Sequence, residues 1–153
     1  MKKNSGCYKC KSDDVETVLQ DFPHTFKDAT IIVTDVQWRR CKSCGELTIV
    51  STEVERVEQA VARVLVEKHV VAGDTFRFLF AVMGFKAKDV ADLLDVTPVT
   101  ISRWVSGDRP VDRAAWLLLA ELFKKAPPER AAAMVDLRTR PKPGLVVQAK
   151  LVA

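Results

Sequence analysis

The cysteine pattern constrains this chain most. Its four cysteines fall into two C-x-x-C pairs, Cys7/Cys10 and Cys41/Cys44, with thirty residues between the pairs. Each pair suits a tight turn that presents two sulfurs on one side. Two such turns, joined by an antiparallel ribbon, complete a tetrahedral four-thiolate shell. In a chain with no recognisable export signal, that arrangement favours a metal over disulfides. One structural Zn²⁺ is expected, with rubredoxin-like iron the nearest competitor. Protein ligands fill all four positions, so no place is left for a substrate water. A region of about fifty residues has little core of its own, and structural zinc contributes on the order of 10 kcal/mol to folding in such small units. Gly45, just after Cys44, suits the sharp bend required there; Lys11 stands in the equivalent place of the first pair and is less suited. His24 and His69 have no ligand spacing to either pair and read as partly exposed residues with ordinary partners.

The residues around the cysteines read as strand and turn. Val15 to Gln20 and Ala29 to Trp38 are expected strands. Alternation in the second puts Ile32, Thr34, Val36 and Trp38 on one face and Ile31, Val33, Asp35 and Gln37 on the other. Asp21 to Asp28, with Pro23, is expected to turn, and Leu47 to Val50 to form a third short strand. A helix is predicted from an N-cap at Thr52 to about Val71, with Glu53 and Glu55 in its first turn and Gly73 ending it. Its apolar stripe is Val54, Val57, Val61, Val64 and Leu65, with Lys68 alongside. The expected class is therefore α+β: a Cys₄ zinc-bound β domain over 1–52, a connector helix over 53–72, an all-α helix-turn-helix bundle over 73–126 and a tail over 127–153.

Helices are predicted at 74–83, 86–94, 98–106 and 112–126, with one more short helix over 129–138 before Pro141, Pro143 and Gly144. The segment from Val90 to Trp104 carries the most information. Two helices crossing steeply need a small residue at their contact, which Ala91 supplies. They need apolar residues in the joint, supplied by Val90, Leu94, Val96, Ile101 and Trp104. The turn wants a residue that tolerates a left-handed backbone, and Asp95 does so better than most. Thr97 can cap the second helix, and Pro98 suits its first turn.

The outward face of that second helix is then Thr97, Val99, Thr100, Ser102, Arg103 and Ser106. In a major groove Arg103 can bridge O6 and N7 of a guanine, and Val99 can pack on a thymine methyl. Thr97, Thr100 and Ser102 suit phosphates or base edges. Lys86 and Lys88, with the amides at the start of the preceding helix, are placed for the DNA backbone, as is Arg109. Trp104 and Trp116 read as core. Bulk charge adds little: the net charge is +4, and most of the surplus lies in residues 127–153, with five Lys/Arg against two Asp/Glu.

These residues resemble the lambda-repressor-like (Xre/Cro) helix-turn-helix family through Ser102-Arg103-Trp104-Val105-Ser106-Gly107. The front of the chain resembles the YgiT-type zinc finger of MqsA-type antitoxins. It shares the two cysteine pairs, Cys44-Gly45-Glu46 and the internal Pro23-His24-Thr25-Phe26-Lys27. The two motifs occur in that family's order and span roughly residues 5–125. With no export signal read, the chain is expected to be cytoplasmic; the resemblance implies an antitoxin that dimerises through its C-terminal domain and binds a palindromic operator in its own promoter. It further implies that the zinc domain holds a toxin, typically an mRNA-cleaving ribonuclease. In that family an Asn and an Arg four apart on the recognition helix read bases. Val99 and Arg103 occupy those positions, so the Arg carries over, the Asn does not, and the operator must differ.

The alternative is a stand-alone zinc-finger helix-turn-helix regulator without a toxin. No nucleophile elbow, phosphate loop or paired carboxylates with a histidine stand in the chain, so no enzymatic activity is expected. The longest apolar runs, Phe78 to Phe85 and Trp116 to Ala120, are far too short to span a membrane.

Overall fold

A computed structural model describes residues 6–139. An antiparallel sheet of β1 (Val15–Thr25), β2 (Thr30–Cys41) and β3 (Leu47–Ile49), in that spatial order, is followed by six helices. These are α1 (Ser51–Glu67), α2 (Gly73–Val82), α3 (Ala87–Leu94), α4 (Pro98–Ser106), α5 (Arg113–Lys124) and α6 (Pro127–Arg138). The class is α+β, as expected. No described helix is long and apolar enough to cross a membrane.

The first two strands are longer than expected. Residues 21–25, predicted as a turn, continue β1 and pair with β2 as far as Thr25 opposite Thr30. Pro23 is tolerated because β1 is an edge strand, where a missing N–H need not face a neighbour. The reversal itself is tight and is closed by the Phe26 N–H donating to the Ala29 carbonyl at 2.7 Å.

The facial pattern of β2 also departs from simple alternation. Gln20 pairs with Val36 but Phe22 with Val33, so β2 carries one extra residue there. Asp35 takes φ +57° at this bulge. A bulge shifts the two-residue repeat by one. Ile31 and Val33 therefore share the inner side with Val36 and Trp38, while Ile32, expected beside Val36, is 61% exposed.

The connector helix is packed, not free. Val57, Val61, Ala62, Leu65 and Val66 of α1 are buried against β2 and α2. Val54, expected on the stripe, is exposed, and Val64 is half-buried. The helix starts at Ser51 behind Val50, with no side-chain cap, so Thr52 is not the N-cap. It ends at Glu67, where His69 adopts a left-handed backbone (φ +51°). Gly73, expected to end this helix, instead begins α2.

One contiguous core runs from the sheet through the helices. It includes Phe26 and Val36 from the strands, Leu65 from α1, Phe76 and Leu79 from α2, Val90 and Ile101 from α3 and α4, and Trp116 and Leu119 from α5. Full burial of each such side chain contributes about 1.5–3 kcal/mol. The sheet is tied down at its hairpin tip. The Lys27 N–H donates to Asp74 Oδ2 at 2.7 Å, and His24 and Phe26 lie 4.8 and 5.3 Å from the Phe78 ring. His24 is thus a half-buried strand residue among aromatic rings, while His69 is exposed. α6 starts two residues before the predicted short helix and packs on α3 and α5, with Met134 buried.

Candidate metal centre and nucleic-acid interface

The four cysteines converge as the spacing predicts. Their sulfurs all lie within 4.8 Å of one another. Cys7 Sγ is 3.6 Å from Cys44 Sγ, and Cys10 Sγ is 3.5 Å from Cys41 Sγ. A tetrahedron of thiolates about 2.3 Å from one ion has edges of about 3.8 Å, so the cluster has the dimensions of a metal shell.

The two turns are built alike. The Lys11 N–H donates to the Cys7 carbonyl at 2.9 Å, and the Gly45 N–H to the Cys41 carbonyl at 2.8 Å. Lys11 and Gly45 both take left-handed backbones, with φ of +63° and +74°. Lys11 therefore adopts the conformation for which its side chain is the poorer choice, and its Nζ donates to the Tyr8 carbonyl at 2.9 Å.

Hydrogen bonds prepare the sulfurs unequally. The Cys44 backbone N–H, with a smaller effect from Ser43, lowers the Cys41 thiol to about 6 despite desolvation. Cys7 is lowered mainly by the Cys10 N–H. The Glu46 N–H pulls Cys44 down, but desolvation and the three neighbouring sulfurs together push it up to about 12. Four crowded sulfurs cannot all carry negative charge unless a cation sits among them.

Glu46 has a role that spacing alone did not indicate. It accepts from the Tyr8 hydroxyl at 2.5 Å and from Lys9 Nζ at 2.8 Å, clasping one turn to the other. Those two partners hold its carboxyl below the usual range, Lys9 first. Ser12 and Ser43 hydroxyls meet at 2.9 Å across the same junction. Only the position of Glu46 just after the second pair hinted at this.

The second site lies on α3 and α4. α3 and α4 pack on each other, and Val90, Ala91, Ile101 and Trp104 are buried, the Trp104 ring lying 5.8 Å from that of Phe76 in α2. Leu94 and Val96 are half-buried there, and Leu93, not expected in the joint, is buried. Asp95 ends α3 in the left-handed conformation, φ +54° and ψ +42°, and the Val96 N–H returns to the Ala91 carbonyl at 3.0 Å. Thr97 caps α4 by accepting from the Thr100 N–H at 3.2 Å, and Pro98 opens its first turn.

This geometry leaves Thr97, Val99, Ser102, Arg103 and Ser106 exposed and Thr100 half-buried beside Thr97. Val99, in the first turn of α4, is 57% exposed. No acidic residue lies on α4. Lys86, Lys88 and Arg109 are exposed. The backbone N–H of Arg109 donates to the Arg103 carbonyl at 3.1 Å, folding the following loop against the end of α4. Trp104 and Trp116 are core residues.

Among known families, the Helix-turn-helix family matches residues 83–129, about a third of the chain, running from the end of α2 into α6. No curated protein matches the chain. The matched segment and the exposed face of α4 identify a DNA-binding, regulatory helix-turn-helix domain. Together, the four-cysteine cluster on a small sheet and the Xre-like helix-turn-helix behind it fit the MqsA-like zinc-finger plus helix-turn-helix architecture.

Proposed function

We propose that this chain is a sequence-specific transcriptional repressor of the antitoxin type. In this reading it acts as a homodimer, paired through the helical part, on a palindromic operator in its own promoter. The observation that carries the reading is the exposed, acid-free face of α4 behind the left-handed Asp95 turn. The second helix of such a pair enters a major groove. Arg103 then reads a guanine and Val99 packs on a thymine methyl. Thr97, Thr100 and Ser102 reach phosphates or adjacent edges, while Lys86, Lys88 and Arg109 neutralise backbone charge.

Cys7, Cys10, Cys41 and Cys44 hold one Zn²⁺ in this reading, and the ion is structural. The zinc-bearing sheet is the surface that neutralises a ribonuclease toxin. This part rests on the resemblance to the antitoxin architecture and on the order of the two sites along the chain.

Sequencing of DNA fragments retained by the purified protein, together with copurification of the neighbouring gene's product, tests the reading. A palindrome upstream of the protein's own gene and a stable complex with a small basic ribonuclease are expected. A palindrome without such a complex reduces the protein to a stand-alone regulator. Retention of no preferred sequence overturns the repressor reading.

A further inference from the structure

α3 begins with charges of both signs. Lys86 and Lys88 are exposed at its start, and Asp89 places a carboxylate in the same turn. Asp89 Oδ2 accepts from the Lys86 N–H at 2.8 Å and so holds that turn closed. In a helix-turn-helix the first helix of the pair crosses the DNA backbone. A bare carboxylate beside two lysines there would oppose the phosphates that the lysines attract.

α6 supplies the opposite charge. It packs on α3, and Arg138 in its last turn reaches Asp89. Arg138 Nη2 donates to the Asp89 carbonyl at 2.9 Å and lies 3.6 Å from Asp89 Oδ1. The guanidinium thus meets both the backbone and the carboxylate of one residue, 49 positions back. The two side chains are 37% and 39% exposed, and an ion pair that open to water adds little to folding. The same exposure lets its charges act on a polyanion outside. Arg138 also lies beyond residue 129, where the match to the helix-turn-helix family ends.

We propose that Arg138 is a positioning residue for DNA binding. It offsets the Asp89 carboxylate and anchors the start of α3, so that Lys86 and Lys88 meet phosphate without a competing negative charge. This rests on the reading of α3 and α4 as DNA-binding. Arg138 acts through Asp89, and its loss matters because it leaves that carboxylate bare.

The test is a double-mutant cycle in the full 153-residue chain, which isolates the coupling between the two residues. Binding to a mixed-sequence duplex of about 30 base pairs is measured near about 0.1 M salt. R138Q should bind about three- to ten-fold more weakly, with Tm nearly unchanged. D89N keeps an oxygen to cap α3. In the unsubstituted chain it should change binding by less than about two-fold, because Arg138 already offsets the carboxylate. In R138Q it should recover most of the loss. D92N is the comparison: Asp92 is exposed three residues further along α3, and any gain from its removal should be equal in both backgrounds. An equal gain from D89N in both backgrounds reflects net charge alone and overturns the proposal. So does R138Q binding as tightly as the unsubstituted chain, or a loss in R138Q that D89N leaves unrepaired. Failure of the unsubstituted chain to bind duplex overturns the DNA-binding reading and this role with it.

Discussion

Gly73 lies against the carbonyl of Trp104 so closely that a Cβ at position 73 would come within 2.2 Å of that oxygen and 2.6 Å of the Val105 carbonyl. Gly73 opens α2, and Trp104 lies near the end of α4. The first turn of α2 is therefore the shelf on which α4 rests. Both obstacles are backbone atoms, so no flexible side chain can give way. Gly73→Ala should cost about 1–3 kcal/mol, as overpacking does, and should also weaken DNA binding by displacing α4. Gly45→Ala is the contrast. Its Cβ meets nothing within 4 Å, so only the left-handed backbone penalises it, by about 1 kcal/mol. Denaturant unfolding and DNA titration of both variants check the pair: only Gly73→Ala should affect both measurements.

Glu53 couples the sheet to α1. It is buried, accepts from the Gln37 N–H at 3.1 Å, and bonds the Arg56 guanidinium. The Gln37 N–H first, and Arg56 after it, hold its carboxyl below the usual value of 4.5. A carboxyl lowered in the folded state stabilises above its unfolded pKa, and that stabilisation is lost as pH falls through the folded pKa. Glu53→Gln should therefore lower Tm at neutral pH. The gap from the unsubstituted protein should narrow as pH falls below 4.5. A gap independent of pH in thermal melts would show that the charge contributes nothing.

Much of the site was legible because it depends on short-range chemistry. The turn at each cysteine pair, the Asp95 turn, the Thr97 cap and the outward side of α4 are set by residues only a few positions apart, and the structure reproduces them except at Thr100, which is half-buried. The departures arise where distant parts meet. Nothing local to Asp35 shows that it bulges, yet that bulge moves Ile32 outward and Ile31 and Val33 inward. Pro23 reads as a turn residue until β1 is known to be an edge strand. Gly73 reads as a helix stop, whereas its necessity comes from Trp104, thirty-one positions away. Glu46, Glu53, Asp74 and Arg138 all act on partners that periodicity cannot identify.

The metal reading predicts one ion per chain, lost with its ligands. Cobalt substitution should give the absorption of a tetrahedral thiolate site. Removal of the ion by a chelator should destabilise residues 6–49 strongly, since structural zinc contributes on the order of 10 kcal/mol in small units. Phe26 and Val36 belong to the shared core, so the melting of the helices should fall as well. Metal analysis and calorimetry with and without chelator measure this. An unchanged melting curve after complete metal removal would contradict a structural role.

The exposed position of Arg103 on α4 bears on the central claim most directly. Titration of a selected operator with Arg103→Ala, at one salt concentration, should show a loss of about 1–3 kcal/mol, or roughly five- to 150-fold. Discrimination should relax at one base pair of each half-site, with Tm unchanged because the side chain supports no core contact. Operator affinity and base preference equal to those of the unsubstituted protein would contradict the account of α4 as the helix that reads the sequence.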